Sequence, residues 1–108
     1  MIKFVNLTPH SITFITEEGN RVIEPSGTVA RLTTETIING YIGGIPVTIT
    51  KYGEIEGLPD PDPNCETIYI VSSLVAGRCH DRDDVYIPNE SVRDSEGRII
   101  GCKSLGRI

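Results

Sequence analysis

T-I-I-N-G-Y-I-G-G-I-P-V-T-I-T, residues 36–50, decides how this chain is read. β-Branched and aromatic residues surround two glycine-bearing dipeptides, Asn39-Gly40 and Gly43-Gly44. Asn-Gly between such runs is a strong hairpin signal, because both residues tolerate positive φ. The spacing therefore predicts a hairpin, with Thr34–Ile38 and the residues from Tyr41 onward as its arms. Gly43-Gly44 follows so closely that it competes for the loop. Ile45–Ile55 is the longest strand candidate, with Ile45, Val47 and Ile49 on one face and Thr48, Thr50 and Tyr52 on the other.

Working outward, the same period of two recurs. Ile2–Leu7 reads as a strand, N-L-T-P-H at residues 6–10 breaks it, and Ser11–Thr16 resumes. Glu17-Glu18-Gly19-Asn20 is a turn, and Arg21–Glu24 returns as its partner strand. Thr28–Thr33 and Thr67–Ser72 are further strands. Ser73–Gly77 reads as a strand's end or as one helical turn with Ser73 as cap. Val85–Ile87 is expected to stop at Pro88, with loop over residues 89–97 and a last strand or two from Arg98 to the end. The three prolines of residues 57–64 mark an extended loop. No stretch carries a helical period over ten residues. The expected fold is a single mainly β domain over residues 1–108, a compact small barrel or sandwich of short antiparallel strands.

Composition narrows the function. The net charge is −5, and no basic stripe is visible, which argues against binding bulk nucleic acid. Residues 1–77 hold four basic and nine acidic side chains; residues 78–108 hold six of each. No apolar run approaches the ~20 residues of a bilayer span, and the N-terminus lacks the pattern of an export signal. Three cysteines cannot all pair within one chain, so reduced thiols in a cytoplasm are expected.

Catalytic and metal motifs are sparse. Cys65, Cys79, His80 and Cys102 form a legal zinc set, but without a C-x-x-C pair, and no metal or cofactor is expected. Neither Ser72 nor Ser73 lies in a G-x-S-x-G elbow. Gly40–Gly44 is not followed by a helix, so it lacks the features of a phosphate loop. What remains are polar groups at strand ends: Asn6, Thr8 and His10 at one break, Ser72 and Ser73 at another. Arg31, Arg78 and Arg82 could add charge. Hydroxyls, an amide, an imidazole and guanidinium forks suit a small anionic ligand. Taken singly, each is better read as structural: Asn6 and Thr8 form the turn through side-chain bonds to backbone, and His10 is a turn histidine bonded to a carbonyl.

K-F-V-N-L-T-P-H (3–10), P-S-G (25–27), G-I-P-V (44–47), Y-G-E-I-E-G-L-P (52–59), T-I-Y-I-V-S-S-L-V-A (67–76) and R-D-S-E-G-R-I-I-G (93–101) together resemble a family of small uncharacterised proteins of tailed phages, prophages and bacteria. The resemblance spans nearly the whole chain and implies a phage-encoded protein of the host cytoplasm. In that setting the expected function is sequestration of an anionic, nucleotide-like signalling molecule, antagonising host defence. A homo-oligomer is expected, since so small a domain encloses a ligand more readily between copies. The rival readings are a small hydrolase of a nucleotide-like substrate using His10 or His80, and a structural or protein-interaction component working through strand edges.

Overall fold

The computed structural model describes residues 1–108. Eight strands and one helical turn follow in chain order: β1 (Lys3–Asn6), β2 (Ile12–Thr16), β3 (Gly19–Ile23), β4 (Arg31–Ile42), β5 (Ile45–Glu56), β6 (Thr67–Ile70), α1 (Ser73–Ala76), β7 (Val85–Arg93) and β8 (Ile99–Gly106). The chain is mainly β, as its period-two pattern predicts. Six strands form one sheet in the order β1-β6-β7-β8-β2-β3, and β4 pairs only with β5. The large sheet is mixed: β1 and β7 run parallel to β6, and β2 runs parallel to β8.

Alternation along β6 divides the core. Tyr69 and Val71 face one side, where Leu7, Ala30, Leu32, Val75 and Val85 join them. Ile70 faces the other and meets Phe14 and Cys102, with Phe4, Ile12, Ile23 and Leu105 packed around them. The second side is the concave one, because the sheet curls until its two edge strands meet. They meet at one end only: Asn6 bridges Pro25, and the Ser26 N–H donates to the Asn6 carbonyl at 2.9 Å. The result is a half-barrel, clasped at Asn6 and open along a seam between β1 and β3.

The hairpin forms, but its loop is Gly43-Gly44 and not Asn39-Gly40. Gly43 and Gly44 both take positive φ, 57° and 81°, as a two-residue turn compatible with strand twist requires. Asn39-Gly40 becomes a bulge inside β4, where the register shifts between Ile38 and Gly40. Closing four residues later gives two strands of 12 residues each and pairs Ile42 with Ile45 and Ile37 with Ile49. Only the root of this hairpin reaches the core, through Leu32 and Ile55. The rest projects as an arm. The radius of gyration is accordingly 16.9 Å, against about 13 Å for a globular chain of ~100 residues.

Two other boundaries differ from expectation. β7 runs through Pro88 and ends at Arg93. Proline lacks an N–H, but β6 pairs with β7 only at Val85 and Tyr86, so at Pro88 the edge toward β6 is free. Ser72, not Ser73, caps α1: its hydroxyl accepts from the Val75 N–H at 3.5 Å.

Candidate functional site

The eight candidate residues fall into separate groups. Asn6, Thr8 and His10 come together, and their chemistry is turned inward. Asn6 is 1% exposed. Its Nδ2 donates to the carbonyls of His10 (2.8 Å) and Ile23 (3.1 Å). Its Oδ1 accepts from the Thr8 N–H (2.9 Å) and the Thr8 hydroxyl (2.6 Å). Both donors and both lone pairs of the amide are thus engaged. N-L-T-P-H is the clasp that ties β1 to β3, with Pro9 and His10 left exposed toward solvent.

Ser72 and Ser73 lie beside this clasp, since Asn6 pairs with Ile70 and the Leu7 N–H donates to Ile70 O. Arg31 sits on the arm root opposite Glu56. The Arg78 guanidinium lies 5.2 Å from the Tyr52 ring centroid. Arg82 is committed to Asp84 through Nε (2.8 Å) and Nη2 (2.9 Å), and to Pro59 O (3.0 Å). No single concavity brings the eight together.

Of the eight, Arg82 alone lines a cleft. That cleft, about 300 Å³, lies at the start of β6 and carries Asp62, Asp81, Asp83 and Asp84. The backbone N–H of Asn64 and the Thr67 hydroxyl hold the Asp62 carboxyl below its ordinary value. Hydrogen bonds from Arg82 do the same for Asp84. Four carboxylates against one guanidinium already committed to Asp84 make this cleft a poor place for an anion. No three His, Cys, Asp or Glu side chains converge as metal ligands. Burial pushes the Cys79 and Cys102 thiols up, away from the thiolate form. The side chains of His10 and His80 make no hydrogen bond to a carboxylate.

The concave face offers different chemistry. A cleft of about 210 Å³ runs into the half-barrel, walled by Phe4, Phe14, Ile23 and Leu105, with Arg21 and Lys103 at its edge. It shares Phe4, Arg21 and Ile23 with a wider opening of about 490 Å³ along the β1–β3 seam, which Lys3 and Glu24 also line; the Lys3 charge also helps to hold the Asp62 carboxyl low. Strand register explains Arg21: it pairs with Phe14, so both point to the concave face. Its guanidinium lies 4.7 Å from the Phe4 ring centroid. Neither Arg21 nor Lys103 has a carboxylate within 4 Å. An apolar slot with a ring on its wall and unpaired cations at its mouth suits a flat ring bearing a negative group.

Phe4, Phe14, Arg21 and Lys103 were not among the residues singled out from sequence. For Arg21 a signal existed. A two-residue turn at Glu17-Glu18 pairs Thr16 with Gly19 and sets Arg21 opposite Phe14. The approach of β1 to β3 had no local signal.

No family model, curated protein or solved structure matches this chain.

Proposed function

We propose that this protein binds and sequesters a small anionic molecule of the nucleotide class in the seam cleft of the half-barrel. One observation carries the reading. In a chain of net charge −5, Arg21 and Lys103 stand without carboxylate partners at the edge of an apolar slot walled by Phe4 and Phe14. The ring of the ligand would enter between the apolar walls, and its anionic group would take the Arg21 fork already placed over Phe4. The two adjoining openings together reach the ~300–1,000 Å³ scale of small-molecule sites. The resemblance to phage and prophage proteins supplies the setting: a protein of the host cytoplasm that removes a signalling nucleotide by tight binding. Nothing in the slot asks for turnover, so the ligand is expected to leave chemically intact.

The test is mass spectrometry of small molecules released by heat after incubation with mononucleotides and cyclic dinucleotides, followed by calorimetry of any that are retained. An intact nucleotide at stoichiometric yield is expected. Arg21→Glu should weaken its binding about 10- to 150-fold, the equivalent of one charge-assisted hydrogen bond of ~1.5–3 kcal/mol. Lys103→Glu should act in the same direction. Unchanged affinity in both variants would remove the ligand from this cleft, and a converted nucleotide would make the protein an enzyme.

A further inference from the structure

The arm has no partner within the chain. Residues 36–50, its outer part, carry no charged side chain, and no longer uncharged run occurs in the sequence. Register puts Ile37, Ile42, Ile45, Val47 and Ile49 on one face. Ile42 is 73% exposed and Ile45 is 69% exposed. Neither long edge of the ribbon is paired. An isolated two-stranded ribbon is marginal in water, and unpaired edges are ordinarily defended by charge. The outer part of this ribbon has neither a third strand nor that defence.

We infer that a second copy of this chain covers the arm, the two copies associating about a two-fold axis with the aliphatic face of each arm laid on the other copy. Three observations favour a second copy over a different protein. The face is purely aliphatic, like the core-like contacts of homodimers, and lacks the Trp and Arg anchors of hetero-partner hot spots. It is neutral, so two chains of charge −5 can meet there without repulsion. Its area is also telling. Seven residues at ~3.3 Å rise and two strands ~4.8 Å apart give a face of roughly 23 by 10 Å. That is well short of the ~800 Å² per partner of a stable interface. Tip-to-tip contact of arms is therefore too small; laying each arm along the second copy's body, an exchange that the two-fold axis repeats, doubles the share to roughly 460 Å² per partner, and contact between the two bodies supplies the rest. The inference is independent of what the seam cleft binds.

Sedimentation velocity on the full chain tests it. The expected mass is twice 11.8 kDa at micromolar concentration. Ile45→Lys with Ile49→Lys should give a monomer, raising the dissociation constant at least ~100-fold, with the circular dichroism of the β body unchanged because both side chains are exposed in the single chain. Thr48→Lys, on the opposite face, should leave the dimer intact. A monomeric wild type at about 100 µM, a mass of three or more chains, or a double variant that still dimerises would overturn the inference.

Discussion

Asn6→Ala is expected to destabilise the protein by about 3–4 kcal/mol, the largest loss of any single polar substitution here. The side chain is buried and engages all four of its hydrogen-bonding positions. Its removal strands the carbonyls of Ile23 and His10 and the N–H of Thr8 together. Each stranded buried group costs ~1–3 kcal/mol, and water entering near exposed His10 recovers part. The loss also unties β3 from β1, so the effect reaches beyond the turn. Urea denaturation measures it. Asn6→Asp is the sharper variant: it keeps the shape but turns an acceptor toward two carbonyl oxygens. It should be worse than Ala at neutral pH and recover as acid protonates it. A loss below 1 kcal/mol for Asn6→Ala would mean that the clasp does not hold the half-barrel.

Arg82→Ala is expected to cost about 2–3 kcal/mol, between the values for exposed and fully buried ion pairs. The two side chains are only 18% and 17% exposed, and the contact is bidentate. Arg82 also ties the 57–64 loop to the segment that leads into β7 through Pro59 O. The pair has a pH signature. Hydrogen bonds from Arg82 lower the folded-state pKa of Asp84 below its unfolded value. A depressed carboxyl contributes stability that is fully present above the unfolded pKa, ~3.9, and is lost as pH falls toward the folded pKa. The stability gap between wild type and Arg82→Ala should therefore be widest above about pH 5 and narrow below pH 4. Asp62 is depressed for its own reasons, so the variant keeps some acid sensitivity. A gap that stays constant from pH 7 to pH 2 would show that Arg82 acts through Pro59 and packing, not through Asp84.

Where sequence and structure agree, local physics decides; where they part, distant contacts do. The strands of residues 2–7, 11–16, 45–55 and 67–72 are visible as alternation, and the structure places a strand within each. The hairpin is visible too, but Asn39-Gly40 and Gly43-Gly44 satisfy the same φ requirement. Only the pairing of Ile37 with Ile49 and Ile42 with Ile45 chooses between them. Pro88 reads as a strand end because local rules assume a partner on both sides, and β6 stops short of it. Asn6 was legible as a turn former, as its bonds to Thr8 and His10 show. That the same amide also reaches Ile23, 17 residues away, was not. The seam cleft was the least legible feature. It needs β1 and β3, the two ends of the sheet order, to curl together, and no local pattern encodes that.

The most direct test of the central claim is a map of backbone amide shifts as the labelled protein is titrated with mononucleotides and cyclic dinucleotides. The account predicts saturable shifts at Phe4, Arg21, Ile23 and Leu105, around the β1–β3 seam. Shifts confined to the acidic cleft at Asp62 and Arg82 or to the Ser72–Ser73 end, or no shift with any member of the panel, would contradict it.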